Sequence, residues 1–512
     1  DGVLNAEAFT ASPVVPQSVY VLIQSRLAQL SDAARRVLDA AVAAGREFEF
    51  EVVARAAGLS EGAALDALDE LRAADLMAPL DGLRFTFNHT LTMEVAYREA
   101  GEPRHRMLHR RMAEALEALY HNRLDTVAGL LAWHYIEGNA PERAAPYAFR
   151  AGQLAAQLPA WKEAIGFFEQ ALQAETDRGR RREILMALGE AHFAAGGADP
   201  AVEAFRAALD LALADGGIGE VNAARLALAR GLFGQARYAE SITLAQTVLA
   251  SGDSDNAMMA EFAWGSALSV EGADLVGAAE HLQKAGALCD GQADPLRLAQ
   301  IKFDLGGVRA QQGDLVSAIA LYRESLDAAR APLSLSKGGG PSALWQALAH
   351  NNLGYHLHLL NDPGALEHAQ TGLALAEEGG IIPVKPYLLS TLGEIALARN
   401  DLDAAEAYFT EGLALAERIS APERITGLTA NLGRVAARRG LTALAVHRLS
   451  TALARADALG LQHLAAQIRL WLVPLLPPAE ARAHLAEARA IIVAGDRRLL
   501  MQPLADLEAG AS

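Results

Sequence analysis

Three histidines that lie close together in the sequence, His350, His356 and His358, carry imidazole nitrogens that could bind a transition metal. Two histidines one helical turn apart can reach the same ion, but the intervals here are six and two residues. On a helix these intervals point the three rings in different directions. The sequence therefore predicts no metal site at these histidines.

The sequence shows none of the patterns that mark phosphate-binding or hydrolytic enzymes. The run KGGGP at 337–341 lacks the Lys and the helix start that a phosphate-binding loop needs. No spacing marks a nucleophile elbow, and no HExxH motif marks a zinc protease. We therefore expect that this chain is not an enzyme by itself and holds no cofactor. The run PLSLSKGGGPS at 332–342 is predicted to be a mobile loop.

Two basic stretches could contact phosphate or an acidic surface. RHRMLHRR at 104–111 holds four Arg and two His, and RGRRR at 178–182 holds four Arg. The alternative is a solvated helix face whose arginines pair with acids of the same chain. The surplus of acidic residues in this sequence favours that alternative.

The composition indicates packed helices. Of the 512 residues 52% are apolar but only 6% are aromatic, so Ala and Leu supply most of the apolar surface. The formal charge of 45 − 62 = −17 opposes direct nucleic-acid binding and attachment to anionic membranes. A single cysteine, Cys289, and the lack of an apolar run of about 20 residues favour a cytoplasmic protein.

A small residue recurs along the chain at intervals of 37 to 48 residues. We call these eight positions the anchors: Gly152, Gly189, Ala227, Gly265, Gly306, Gly354, Gly393 and Gly433. Twelve residues after most anchors lies an Ala (Ala164, Ala201, Ala239, Ala318, Ala405, Ala445), and sixteen after four of them an aromatic residue (Phe168, Phe205, Tyr322, Phe409). The units at 265 and 354 keep the pattern with a one-residue slip. Small residues let two helices approach, and the bulky residue fills the space beside them.

This pattern resembles the tetratricopeptide repeat (TPR), with LLSTLGEIALARNDLDAAEAYFTEGLALA at 388–416 as the best match. The period is longer than usual, which resembles the extended-helix repeats of maltose-activator-like regulators. The resemblance implies an all-α fold, a right-handed TPR-like α-solenoid (superhelix), with about eight repeats over 141–460 and a degenerate capping repeat over 461–512. In this family the first helix of each unit lines a concave groove. That implies a ligand or partner groove at Asn351, Tyr355, His358, Glu394 and Arg434, with ordinary solvation of each residue as the alternative.

Residues 31–100 predict a separate domain, a winged helix. Ser31 can cap a helix that ends at Gly45, a short helix ends at Gly58, and Ser60 can cap a third. Two apolar runs follow, separated by a hairpin turn predicted at Asp81-Gly82. The third helix carries five acids and one base between residues 60 and 75, so direct DNA binding by this helix is not expected.

The segment 13–120 resembles the region after the nucleotide-binding core of signal-transduction ATPases (STAND), through VPQSVYVLIQSRLAQLSDAARRVLDAAVAAGREF, the hairpin, FTFNHTLTMEVAYREA and RRMAEALEALY. In that family a winged helix follows the ATPase and a repeat arm follows the winged helix. The resemblance implies that 1–30 ends the preceding ATPase or lid region and that 101–140 forms connecting helices. It also implies an upstream ATPase domain in cis, as expected for a chain that begins without Met.

The STAND resemblance gives His89 a role, because related switch ATPases place a histidine after the wing on the β-phosphate of bound ADP. The neighbours Asn88 and Thr90 depart from that motif, and packing of His89 against the following helix is the alternative. ATP or ADP is thus expected in the full-length parent. The implied function is the sensor or regulatory arm of an ATP-dependent transcriptional regulator, binding an inducer or partner protein. Two alternatives are a stand-alone TPR scaffold and the arm of an adenylate-cyclase-type enzyme.

Overall fold

The computed structural model describes residues 17–158, 160–272, 274–289, 294–331 and 340–510. The chain divides into two compact units, Asp1–Gly216 and Gly217–Ser512. Helices make up nearly all of the described chain apart from three short strands in the first unit. The predicted all-α, TPR-like solenoid is therefore confirmed. Residues 332–339 of the predicted loop lie outside the described residues, and a helix begins at Gly340.

The first unit begins with three helices and a small sheet, preceded and followed by a further helix. Ser31 accepts a hydrogen bond from the Ala34 N–H at 3.1 Å, and Gly58 ends the third element in the left-handed region with φ 64°. Both helix ends are as predicted. The elements are α1 Gln17–Leu27, α2 Asp32–Ala44, β1 Glu47–Glu49, α3 Phe50–Ala57, α4 Glu61–Ala73, β2 Met77–Asp81, β3 Arg84–Phe87 and α5 Thr90–Ala100.

The sheet has the antiparallel order β1-β3-β2, and the sequence did not predict β1. The predicted turn at Asp81-Gly82 is wrong by one residue, because Asp81 pairs with Arg84 and the turn residues are Gly82 and Leu83. The strand pairing is irregular between Pro79 and Asp81, where Pro79 has no N–H to donate. This irregularity shifts the turn along the chain.

Helices complete the first unit: α6 Glu102–Leu119, α7 Ala128–Glu137, α8 Pro141–Gln157, α9 Trp161–Ala174, α10 Arg178–Ala194 and α11 Ala198–Asp215. The second unit contains α12 Ile218–Gly234, α13 Tyr238–Ala250, α14 Ser254–Glu271, α15 Leu275–Cys289, α16 Pro295–Gln311, α17 Leu315–Arg330, α18 Gly340–Leu359, α19 Ala365–Glu378, α20 Lys385–Ala398, α21 Leu402–Arg418, α22 Pro422–Arg438, α23 Thr442–Ala458, α24 Gln462–Leu472, α25 Pro478–Ala494 and α26 Arg498–Gly510. From α8 onward, an even-numbered helix packs on the odd-numbered helix after it to form a helical hairpin.

The anchors lie on the first helix of each hairpin, and most of the anchor glycines lie opposite a bulky residue of the second helix, whereas Gly354 lies opposite Ala369. A Cβ on Gly152 would lie 2.5 Å from the Phe168 ring, and a Cβ on Gly306 would lie 2.7 Å from the Tyr322 ring. The second helix buries its fourth residue, as at Ala318 and Ala405, both fully buried. The predicted packing of small and bulky residues is therefore confirmed at these positions.

The predicted register is wrong in one unit. Ala239, placed twelve residues after Ala227, is exposed, whereas Ser241 and Ala245 are buried. Ser241 is the fourth residue of α13, the position that other second helices bury, which makes fully buried Ala229 the anchor. The error has a simple cause, because this unit has no glycine at the anchor and Ala recurs throughout α12.

Candidate functional site

Polar side chains link the first helices of four successive hairpins in the second unit. We call this set the polar row, and it consists of Asn351 on α18, Ser390, Thr391 and Glu394 on α20, and Asn431 and Arg434 on α22, with Trp471 of α24 at its end. Polar side chains on helices otherwise rich in Ala and Leu need partners where they are buried, and most of these partners lie on the neighbouring first helix.

The link between α18 and α20 is fully enclosed. The Thr391 hydroxyl donates to Asn351 Oδ1 at 3.0 Å, and both residues are buried. The Asn351 amide in turn donates to Asn352 Oδ1 at 3.1 Å. Asn351, predicted as a groove residue, is thus only 7% exposed and holds two helices together.

The link between α20 and α22 centres on Asn431. Its amide donates to Ser390 Oγ at 3.3 Å and to Glu394 Oε1 at 3.4 Å. Arg434 Nη1 donates to Asn431 Oδ1 at 3.0 Å and lies 3.4 Å from Glu394 Oε2. The Glu394 and Arg434 side chains remain 19% and 26% exposed, so this ion pair is only partly shielded from water.

Arg434 also joins α22 to α24. Its guanidinium carbon lies 4.4 Å from the centroid of the Trp471 ring, a cation–π contact. Within the described part of the chain, Arg434 bonds to Glu394 and to Asn431, in both cases through Nη1. Stacking and a single anchored nitrogen fix the plane of the guanidinium and leave Nε and Nη2 for a ligand carboxylate or carbonyl.

Tyr355 and His358 of α18 lie within electrostatic range of the Glu394–Arg434 pair. Burial raises the pKa of Tyr355, and the charge of Glu394 raises it further. Burial lowers the pKa of His358, which Glu394 partly opposes. Tyr355 thus stays protonated near neutral pH and His358 is mainly neutral, so both offer uncharged polar groups. Four of the five predicted groove residues are brought together, and Asn351 lies in the enclosed link instead.

Asn431, Thr391 and Trp471 were not predicted as site residues, although the sequence carries a signal for Asn431 and Thr391. Four successive units carry a polar residue two positions before the anchor: Asp304, Asn352, Thr391 and Asn431. At this position the side chain reaches the neighbouring helices, as Thr391 and Asn431 do. A search for polar residues in register with the anchors finds these side chains without a structure.

Asp304 belongs to the same register in an earlier unit. Its Oδ2 accepts a hydrogen bond from the Ser266 hydroxyl of α14 at 2.6 Å. Burial raises the pKa of Asp304 to about 6, although the Ser266 bond and Arg297 oppose the shift. Desolvation is thus the dominant effect on this carboxyl.

Two of the three histidines considered for metal binding, His350 and His356, have separate partners. His350 Nδ1 lies 3.0 Å from His368 Nδ1, and burial together with His368 lowers the pKa of His350 to about 4. His356 Nδ1 donates to the Asn352 carbonyl at 2.7 Å. Over the residues that the structure describes, no group of three or more His, Cys, Asp or Glu has the geometry to hold a metal ion.

His89 occupies the residue before α5 and is exposed, with φ −137° and ψ 129°. It makes no capping hydrogen bond through its side chain. The neighbouring Asn88 amide donates to Asp75 Oδ1 at 2.6 Å, which fixes the start of this segment.

The basic stretch at 104–111 has partners within the first unit. Arg104 lies 3.1 Å from Asp39, Arg106 pairs with Glu102, and Arg110 donates to the Gly138 carbonyl at 2.8 Å. In the second stretch Arg181 Nη1 donates to the Leu172 carbonyl at 2.7 Å. Pairing with acids of the same chain, the favoured prediction, is confirmed for Arg104 and Arg106, whereas Arg110 and Arg181 bond to backbone carbonyls.

Comparison with known proteins adds a similarity of fold. No protein-family model and no curated protein sequence matches the chain. A solved STAND protein with a tetratricopeptide repeat sensor from Pyrococcus horikoshii is similar with a TM-score of 0.53 and 12% identity, over 90% of this chain and 68% of that one. The quorum sensor NprR from B. thuringiensis, in its apo form, is similar with a TM-score of 0.47 and 13% identity, over 64% of this chain and 93% of that one. The similarity to the STAND protein supports a TPR-type helical fold.

None of the helices in the described part of the chain is both long enough and apolar enough to cross a bilayer.

Proposed function

We propose that this chain is the sensor or regulatory arm of a STAND-type, ATP-dependent transcriptional regulator. In this proposal the arm binds an inducer or partner protein as an extended segment along the polar row. Binding biases the parent protein between an ADP-bound resting form and an ATP-bound active form. The observation that carries the proposal is the run of linked polar side chains from Asn351 to Trp471, on a fold similar to that of a STAND protein with a TPR sensor.

The polar row suits an extended peptide for a chemical reason. A peptide in extended form presents N–H and C=O groups at regular intervals and needs fixed donors and acceptors. Glu394 supplies carboxylate oxygens, while Arg434 supplies N–H groups and a cation. The exposed parts of Tyr355 and His358 add uncharged groups beside them. Partial exposure of the ion pair lets a ligand compete for it at low cost.

The first unit supports a winged helix that contacts protein rather than DNA. Its element order, α2, β1, α3, α4 and the β2–β3 hairpin, is that of a winged helix. On α4 the exposed residues include Glu61, Asp66 and Asp69, and the one base, Arg72, lies 3.4 Å from Asp69. This face repels phosphate, so we propose that the winged helix docks on an ATPase domain in cis.

Peptide selection tests the binding role. A random-peptide display library is selected on the immobilised chain, and the affinities of labelled synthetic winners are measured by fluorescence anisotropy. We expect the double variant Tyr355→Phe, Arg434→Gln to weaken binding at least tenfold, or roughly 1.4 kcal/mol. Arg439→Gln is the control, since Arg439 directly follows the same helix but pairs with Asp403 and Glu406.

Two outcomes contradict the assignment of the polar row. One is a selection that yields no binding peptide, and the other is a selected peptide that binds the double variant as tightly as it binds the unmodified chain. Reading the coding sequence upstream tests the wider proposal. A phosphate-binding loop followed by an ATPase domain supports it, whereas its absence leaves the stand-alone scaffold. A cyclase domain upstream assigns the arm to an adenylate-cyclase-type enzyme.

A further inference from the structure

A cavity of about 410 Å³ opens beside the end of the polar row, among α22, α24 and α26. Its wall is mostly apolar and includes Leu470, Trp471, Leu475, Leu500 and Leu507. This volume and lining suit a small organic molecule better than a polypeptide backbone, which needs hydrogen-bond partners along its whole length. The cavity is therefore a different kind of site from the polar row.

The charged groups of the wall favour an anionic ligand. Arg434 and Arg438, one helical turn apart on α22, line the cavity, and Asp506 of α26 is the acid in the wall. Arg438 Nη2 donates to the neutral amide oxygen of Asn400 at 2.7 Å, so this bond does not cancel its charge. Asp506 accepts a hydrogen bond from Gln502 at 2.7 Å. With Asp506 and Glu394, the partner of Arg434, both counted, the charges balance, so the N–H donors of the two arginines favour an anionic ligand and a net charge does not.

The orientation of Arg434 adds geometric selectivity. Its guanidinium lies over the Trp471 ring at 4.4 Å, and its hydrogen bonds to Asn431 and Glu394 both use Nη1. A guanidinium held flat in this way presents Nε and Nη2 as a two-pronged donor, which matches the two oxygens of a carboxylate. The apolar wall begins directly at Trp471, so a carboxylate at this place has its hydrocarbon part beside the leucines.

We propose that this cavity binds a small amphipathic carboxylic acid, with its carboxylate on Arg434 and Arg438 and its hydrocarbon part against Trp471 and the leucines of α24 and α26. The ligand is thus a medium-chain fatty acid or an acid of similar shape. This proposal does not rest on peptide binding along the polar row, and Arg438 and α26 take no part in that row.

Calorimetry with decanoate tests the charge requirement in the complete chain. Decanoate is expected to bind saturably with one site per chain, and decan-1-ol and decylammonium at least tenfold more weakly. Arg438→Gln is expected to weaken decanoate binding about tenfold, the effect of losing roughly 1.4 kcal/mol. Arg439→Gln, at the next residue but outside the wall, is expected to leave it unchanged. The proposal is overturned if decanoate and decan-1-ol bind equally, if decanoate does not bind, or if Arg438→Gln and Arg439→Gln have equal effects.

A second measurement locates the ligand. Bromine quenches the fluorescence of a tryptophan that it touches, and the proposed carboxylate position is beside Trp471. We therefore expect 2-bromodecanoate, whose bromine is next to the carboxylate, to quench the emission of the unmodified chain with the midpoint found by calorimetry. Trp471→Phe is expected to remove most of this quenching while keeping measurable binding. Quenching of the same size in Trp471→Phe places the ligand elsewhere and overturns the proposal. The affinity of Arg438→Gln for the peptide selected on the polar row is also measured and is expected to be unchanged. This measurement separates loss of the acid site from loss of peptide binding.

Discussion

The ring of Phe205 lies where a side chain on Gly189 would have to be, since a Cβ built on that glycine meets Phe205 Cε1 at 2.5 Å. Contact at this distance is closer than real Cβ atoms tolerate. The two helices of the hairpin, α10 and α11, are thus held at a separation that only glycine allows at this position.

Gly189→Ala is expected to destabilise the fold by about 1–3 kcal/mol, because the added methyl group must displace Phe205 or separate the helices. Gly166→Ala in α9 is the control, because a Cβ there meets nothing within 4 Å. The control is expected to stabilise the helix by up to about 1 kcal/mol through the higher helix propensity of Ala. Urea unfolding measures both changes, and equal effects of the two substitutions contradict the packing.

Ala405→Leu is expected to overpack the crossing of α20 and α21 and to cost about 1–3 kcal/mol, since Ala405 is fully buried. Ala407→Leu, on the exposed side of the same helix, is expected to change stability by less than about 0.5 kcal/mol. Thermal melts compare the pair. A melt of Ala405→Leu within error of the unmodified chain refutes this packing.

Thr391→Val is expected to cost about 1–3 kcal/mol, because it leaves the buried Asn351 Oδ1 without its donor. Thr451→Val removes a hydroxyl that bonds only to the His447 carbonyl of its own helix on an exposed face. This control is expected to stay within about 0.5 kcal/mol of the unmodified chain. Chemical denaturation measures both changes. Equal losses of stability in Thr391→Val and Thr451→Val contradict the link between α18 and α20.

Asp304 is expected to make stability depend on pH. Burial holds its pKa at about 6, above the 3.8 of a free carboxyl, so the folded chain keeps this proton more readily than the unfolded chain. The resulting stabilisation is complete below pH 3.8 and is lost as pH rises through about 6, with an upper limit of about 3 kcal/mol.

Asp304→Asn removes that titration while keeping an acceptor for Ser266. Relative to the unmodified chain, the variant is expected to gain stability steadily between about pH 4 and pH 7 in urea unfolding. Asp210→Asn, at an exposed site of α11, is the control and is expected to show no such trend. A difference between Asp304→Asn and the unmodified chain that is independent of pH contradicts the buried carboxyl.

In the longer parent protein that we propose, His89→Ala is expected to weaken ADP binding by roughly 1.5–3 kcal/mol, the contribution of a charge-assisted hydrogen bond to phosphate. The basal activity of the parent should then rise, because the ADP-bound form is the proposed resting form. His121→Ala is the control, because His121 is also exposed but bonds to the Ala118 carbonyl of the preceding helix α6. Calorimetry of ADP binding decides the matter, and equal affinities of the His89→Ala and unmodified parents remove His89 from the nucleotide site.

The hairpins were predictable because their determinants are close in sequence. Gly152 and Phe168 are separated by one turn and two half-helices, so a fixed interval of sixteen residues reveals the contact. The register failed at Ala227, where a run of alanines offers several equivalent anchors and only the buried Ser241, twelve residues later, identifies Ala229. Local spacing thus predicts packing wherever a glycine marks the position.

The candidate site was less predictable because its contacts join different units. Glu394 and Arg434 share a face by their offsets from the anchors, and the structure pairs them as this offset implies. Trp471, in contrast, meets Arg434 from a helix whose hairpin departs from the repeat pattern, so no offset points to it. The register of Thr391 and Asn431 was visible in the sequence but becomes meaningful only when adjacent first helices are known to touch.

The contact between anchor and aromatic ring closes within one hairpin, as Gly152 with Phe168 and Gly306 with Tyr322 show. Each hairpin therefore sets its own internal alignment, whatever hairpin precedes or follows it. A gene that encodes such hairpins can gain or lose one whole unit by duplication or deletion without disturbing the alignment inside the others. Insertions of a few residues are tolerated only in the connections, so we expect variants of this chain to differ in length by whole hairpins or at the turns between helices.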